Sequence, residues 1–391
     1  MTTISWCRNP DGTPGMTWNP IRARNIATGK RGWHCEPVHE GCAHCYAGGQ
    51  NARLGDSGGT GLPYKPGHRN DVEIYLDEKT LLAPLSWRKP RTIFVCSMTD
   101  LYGPWVPDAW IDRIKAVQAL TPQHVYVELT KRPGRMRDHT TDIGGGNSVR
   151  PSTWGRVVLE AGVICRRLSL DNPSVLKWPL PNVWAGPSCS TQNHANEFIP
   201  IVLETPLAHR IVSLEPLLDG IDLSNIEIPL VSFLFDALAG CGRTHLGDAY
   251  KTYLDGRRLD LVIMGGESGP ASRVTRTSDI RSVVRQCRKA GTPVFVKQLG
   301  SNVQDWNDVG FDGCPPSEWP DSTADKIEHN PNGFLQEYQG APVRIRLKNR
   351  KGEDPTEWPE DLRVRQLPWV TTGAAGAAAE VERPHAMPGN A

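Results

Sequence analysis

No apolar run in this sequence approaches the roughly 20 residues that a helix needs to cross a bilayer. The first residues, MTTISWCRNPDG, have neither a basic start nor an apolar stretch, so no export signal is expected. Both absences point to the cytoplasm, where thiols stay reduced. An excess of charge is also missing: 44 basic residues meet 43 acidic ones, a net charge of +1. No global field would draw the chain to nucleic acid or membrane, so any such site has to be a local basic patch. There is no Gly-rich dinucleotide fingerprint and no internal repeat. Phe is scarce, with 7 residues against 13 Trp.

What is abundant is punctuation and thiol. The 33 Pro and 38 Gly predict many connections and loops. Ten cysteines in a reducing compartment are not a disulfide framework. Cys7, Cys96, Cys165, Cys189, Cys241, Cys287 and Cys314 stand singly, whereas Cys35, Cys42 and Cys45 cluster.

Short β-rich runs alternate with helical patterns. Strands are expected at Thr92–Cys96, His124–Leu129, Asn182–Gly186, Arg210–Leu214, Asp260–Met264 and Pro293–Val296, with another near Thr17-Trp18. Helices are expected from Asp108 to Leu120 after Pro107, from His194 to Glu204 with a start or kink at Pro200, and from Asp279 with Ser278 as its cap. The last carries a stripe of Ile280, Val283, Val284 and Cys287 and stops at Gly291. Alternation of this kind gives parallel strands with crossover helices. The fold class is α/β, a complete or partial parallel βα (TIM-like) barrel over residues 1–300, with an open doubly wound sheet as the alternative. Surface insertions are expected at about 54–67, 137–181 and 223–258. Residues 301–370 read as a loop-rich C-terminal extension and 371–391 as a disordered Ala/Gly-rich tail.

The cysteines lie in His34-Cys35-Glu36-Pro37-Val38-His39-Glu40-Gly41-Cys42-Ala43-His44-Cys45-Tyr46, a C-x6-C-x2-C-Y spacing. Two thiolates separated by two residues can meet one ion or cluster, and the longer spacer with Pro37 and Gly41 can bring the third back. Three thiolates on a four-iron cluster leave one iron open for chemistry. A zinc site of Cys3His type, with His34, His39 or His44 as fourth ligand, stays open on the motif alone. The long βα context favours the cluster, because zinc knuckles usually stabilise small units.

A three-cysteine loop placed before a run of βα units resembles the radical SAM superfamily. A closer resemblance is to a phage-encoded family of unassigned function, related to radical SAM proteins and often found beside the three-Cys-motif partner protein. The motifs that carry it are T-W-N-P at Thr17 to Pro20, G-C-x-x-C-Y at Gly41 to Tyr46, S-M-T-D-L at Ser97 to Leu101, L-T-K-R-P at Leu129 to Pro133, E-P-L-L at Glu215 to Leu218, G-G-E-S-G at Gly265 to Gly269 and Lys297-Gln298, with E-W-P-E-D-L-R-V-R at Glu357 to Arg365. The first spacer is six residues, where the superfamily usually has three. The Gly-Gly-Glu comes late in the chain and not after the second strand.

The resemblance implies a radical SAM type of barrel. Cys35, Cys42 and Cys45 would hold a [4Fe–4S] cluster, and S-adenosylmethionine would chelate its open iron. The radical so generated would act on a nucleic-acid base or nucleotide. It also implies an electron donor of flavodoxin or ferredoxin type, a three-Cys-motif partner protein and no membrane.

In a βα barrel the site gathers at the C-terminal strand ends. Asp100, Lys131, Glu215, Glu267 and Lys297 are there as candidate catalytic residues. Asp100, Gln192, Asn193, Gly265, Gly266 and Tyr46 are candidates for holding the cofactor, with Asp100 on the amine of S-adenosylmethionine. Two basic patches, Lys131 to Arg137 and Arg344 to Lys351, are candidate phosphate contacts, although the alternation in VRIRLK reads first as a charge-protected edge strand. A zinc-containing nucleic-acid-binding protein without redox chemistry is the second reading.

Overall fold

The computed structural model describes residues 1–53, 58–142, 152–171, 176–228, 233–244, 249–250, 254–306, 327–328 and 342–371. Seven strands form its central sheet: β1 (Met16–Trp18), β2 (Thr92–Val95), β3 (Val125–Thr130), β4 (Val183–Cys189), β5 (His209–Leu214), β6 (Leu261–Gly265) and β7 (Val294–Gln298). Each coincides with a run that the sequence marks as a strand. Their order across the sheet is their order along the chain, and every neighbouring pair is parallel. A doubly wound sheet reverses its strand order to cover both faces. An order that never reverses keeps the crossovers on one face, and the sheet curls. The result is a half-barrel in which β1 and β7 do not pair.

Six helices accompany the sheet: α1 (Tyr46–Arg53), α2 (Asp108–Leu120), α3 (Pro133–Thr141), α4 (Thr153–Leu168), α5 (Gln192–Glu204) and α6 (Thr277–Ala290). Helix α6 begins two residues before Asp279 and buries the expected Ile280, Val283, Val284 and Cys287. Each such aliphatic side chain contributes roughly 1.5–3 kcal/mol. Gly291 ends the helix with φ of 68°, which glycine adopts without Cβ strain. Pro200 neither starts nor splits α5 but lies inside it, where only the Asn196 carbonyl loses its helical donor.

The insertions turn out differently from one another. Residues 137–181 carry α4, whose buried Val157, Ala161 and Ile164 pack with α2 in the helical layer, so most of this segment is part of the β3–β4 crossover. Between β5 and β6 the chain instead forms a four-stranded antiparallel sheet, ordered Ala249–Tyr250, Cys241–Thr244, Phe233–Asp236, Ile226–Glu227. Its Ile226, Phe233 and Phe235 join the core formed by α5 and α6, covering apolar surface that a crossover helix would otherwise cover.

The C-terminal extension is packed onto the barrel. Val296 donates its N–H to Val364 and Gln366 donates to Val294, so residues 364–366 cover the outer edge of β7. An uncovered edge would invite pairing with another chain. The strand Pro342–Ile345 pairs with Val303–Trp306 on one side and Ile327–Glu328 on the other, so VRIRLK is not an edge strand, and it leaves the sheet after Ile345. The tail from residue 372 lies outside the described residues. No described helix is long and apolar enough to cross a membrane.

The concave face holds a separate apolar cluster: Trp6, Val127, Trp184, Ile211, Ile263, Phe295 and Trp369, with Phe94 and Leu129 against it. The two chain ends meet in it, where Trp369 Nε1 donates to the Arg8 carbonyl at 3.0 Å. They fill the concave side from within, leaving the C-terminal strand ends as the polar mouth.

Candidate functional site

Side chains two apart on a strand share a face. Lys131 therefore follows Val127 and Leu129 on the concave face. Ser188 follows Trp184 and Gly186, Ser213 and Glu215 follow Ile211, and Lys297 follows Phe295. These residues form one polar layer above the apolar cluster. Lys131 Nζ donates to Ser188 Oγ at 2.7 Å, and Ser188 Oγ donates to the Glu215 carbonyl at 3.1 Å. Lys297 Nζ lies 2.8 Å from Glu215 Oε1, and Ser213 Oγ donates to Glu215 Oε2 at 3.0 Å. A Cβ on Gly265 would stand 3.3 Å from Glu215 Oε1, so glycine leaves room beside that carboxylate. At Gly266 a Cβ would run into the Leu299 carbonyl and Thr275 Oγ1, so this glycine is required by packing.

The cysteine loop lies across this mouth and is tied to it on both sides. On the β2–β3 side, Thr99 Oγ1 donates to the His34 carbonyl, and Arg132 donates to the Glu36 carbonyl at 3.0 Å. The Tyr46 hydroxyl donates to the Ser97 carbonyl at 2.9 Å. Asn19 of T-W-N-P holds the same corner, accepting from the Met98 N–H at 3.0 Å. On the β6 side, Glu267 binds His44 Nδ1 at 3.0 Å and three donors of Arg273, whose remaining nitrogen reaches the Glu40 carbonyl. Burial pushes the Glu267 carboxyl up, but the bonds from Arg273 and His44 outweigh it and hold the group down at about 2.

Within the loop, Cys35 and Cys42 are half-buried and Cys45 is exposed. Burial raises the Cys35 thiol to about 12, with the negative charge of Asp100 adding to it. A bare Cys35 is therefore a neutral thiol, and a coordinated metal is what would make it a ligand. Tetrahedral zinc with bonds of about 2.3 Å gathers its sulfurs to roughly 3.8 Å of each other. Among the described residues, no three ligand atoms including a cysteine sulfur lie within 4.8 Å of one another. A four-iron cluster puts each thiolate on a different iron, so this wider spread suits the cluster better than a single ion. His34 is turned to Glu36 at 3.1 Å and His44 to Glu267, away from a zinc-ligand role. His39, Glu40 and His194 do bring ligand atoms within 4.8 Å of one another.

The other expected residues divide. Asp100 is buried, and its carboxylate accepts from Tyr102 N, Thr130 Oγ1, Lys131 N and Arg132 Nη1 at 2.7 to 3.1 Å. A carboxylate has about four acceptor positions. Asp100 has no position left for a cofactor amine and acts as the knot between β2 and β3. Glu215 has two of its positions taken. Gln192 caps the neighbouring loop, accepting from Asp222 N at 2.6 Å, and Asn193 is exposed on α5. Ser188, Arg273, His39 and Ser190 are part of the mouth without having been singled out as site residues. Strand periodicity marks Ser188, but no local signal marks Arg273.

No curated protein and no solved structure matches the chain. The one family found carries no link to radical SAM or three-Cys-motif proteins. Its model, described as a protein of unknown function (DUF5131), matches residues 1–364, and the chain belongs to that family.

Proposed function

We propose that the chain is an iron–sulfur enzyme of radical SAM type. Cys35, Cys42 and Cys45 would ligate three irons of a [4Fe–4S] cluster, with S-adenosylmethionine at the fourth. The observation that carries this reading is the loop itself: three thiols, too widely spread for one ion, fastened from both sides over the C-terminal mouth of a parallel half-barrel. That mouth is where βα enzymes keep their chemistry. When bound, the group supplies one-electron cleavage of S-adenosylmethionine to methionine and a 5′-deoxyadenosyl radical, which takes hydrogen from substrate.

The chain's own residues position and shield. Thr99, Arg132, Arg273 and Glu267 fix the loop. Glu215, the mouth carboxylate with open acceptor positions, takes the amine role expected of Asp100, and Lys297 keeps it ionised and oriented. Gly265 leaves space beside it. The exposed Cys45 marks the side from which a flavodoxin- or ferredoxin-type donor would approach. A nucleic-acid base or nucleotide is the substrate class, and a three-Cys-motif protein the partner. Metal analysis of protein purified without oxygen tests the reading. Iron and acid-labile sulfide in equal amounts are expected, whereas zinc alone would favour the nucleic-acid-binding alternative.

A further inference from the structure

The charges at the mouth do not cancel. Asp100 is paired with Arg132 at 3.0 Å, Glu267 with Arg273 at 2.6 Å and Glu215 with Lys297 at 2.8 Å. Lys131, half-buried and pointing into the same space, donates to the Ser188 hydroxyl and has no ion pair among the described residues. A cation withdrawn from water without a counter-charge is costly.

Beside it stand two further donors without acceptors. Ser190 is fully buried, and its Oγ has no hydrogen-bond partner among the described residues. It lies against Gly41, where a Cβ would collide with it. The Gly41 N–H donates to His39 Nδ1 at 3.0 Å, so the proton of the neutral ring sits on Nε2, which is also buried and unpartnered. The ring is neutral: burial first, then the charge of Lys131, lowers His39 to about 4.

The same bonds argue against a metal at His39, Glu40 and His194. The Ser190 N–H donates to His194 Nδ1 at 3.3 Å, leaving its Nε2 proton facing Glu40 Oε2 at 3.3 Å. Both imidazole lone pairs are therefore taken by backbone N–H groups, and neither ring offers one to a cation. Glu40 is half exposed and turned to His194.

We infer that Lys131, Ser190 and His39 form an oxyanion site that holds a phosphate or carboxylate of the substrate at the mouth. This rests on the function proposed above, in which the carboxylate of S-adenosylmethionine is neutralised by iron and does not need Lys131. A charge-assisted bond from an ammonium and two neutral donors suits such a group.

Calorimetric titration of the full chain as purified, without S-adenosylmethionine, tests this with inorganic phosphate and separately with acetate. At least one should bind saturably, and the preferred one names the group. Lys131→Met should weaken it by about tenfold or more, Lys131→Arg should largely restore it, and Ser190→Ala should weaken it by a smaller factor. Variants are compared at matched melting temperature. Absence of binding by both anions, or Lys131→Met binding like wild type, overturns the site. Displacement of the anion by S-adenosylmethionine overturns its assignment to substrate. None of these readouts depends on iron, so a failed cluster and a failed oxyanion site remain separable.

Discussion

His44 Nδ1 lies 3.0 Å from the Glu267 carboxylate and joins residues 223 positions apart, tying the cysteine loop to the end of β6. Glu267→Gln should loosen that tie. The expected effect is faster backbone hydrogen exchange at residues 40–46 with the half-barrel strands unchanged, and a stability loss of up to roughly 1.5–3 kcal/mol, the value of a hydrogen bond to a charged group. The pH dependence has a definite sign. The folded carboxyl sits at about 2, below the unfolded value of about 4.3. Its stabilisation is therefore present above about 4.3 and lost as the pH falls through about 2. Exchange in the loop that is unchanged by the substitution would show that the β2–β3 anchors suffice.

Asp100 and Glu215 make opposite predictions. Asp100→Asn removes charge from a carboxylate with four donors, one of them Arg132, and should lower the melting temperature. Glu215→Gln should leave melting nearly unchanged but weaken S-adenosylmethionine by about tenfold, about 1.4 kcal/mol. Loss of cofactor affinity in Asp100→Asn at unchanged melting temperature would return the amine to Asp100.

Lys115 and Glu128 form a buried ion pair at 2.7 Å between α2 and β3, with Gln118 and Tyr102 also donating to Glu128. Lys115→Met should cost about 3–5 kcal/mol by denaturant unfolding, because Glu128 keeps its charge without a cation. Lys115→Met combined with Glu128→Gln should recover part of that loss. Equal stabilities for the single and double variants would mean that the charge is not the cause.

The fold was legible because its strands are short β-branched runs between helices with a 3.6-residue stripe, and both signals are local. Lys131, Glu215 and Lys297 could be found because each directly follows such a run. The anchors were not legible: nothing near His44 announces Glu267, and nothing near Glu36 announces Arg132. The packing of residues 364–366 along β7 and the meander at 226–250 rest on backbone pairing between distant segments, which leaves no periodicity to read. Asp100 was correctly placed at a strand end, but the four donors that occupy it come from three-dimensional neighbours.

The central claim is that Cys35, Cys42 and Cys45 act as one ligand set for redox chemistry. It is tested most directly by 5′-deoxyadenosine release from reduced, anaerobic protein given S-adenosylmethionine. Wild type should release it slowly even without substrate. Cys35→Ala, Cys42→Ala and Cys45→Ala should release none and lose the visible charge-transfer absorption. Cys287→Ala, a change in the α6 core, should keep both. Wild type that binds iron but never cleaves S-adenosylmethionine, or that binds only zinc, would contradict the account.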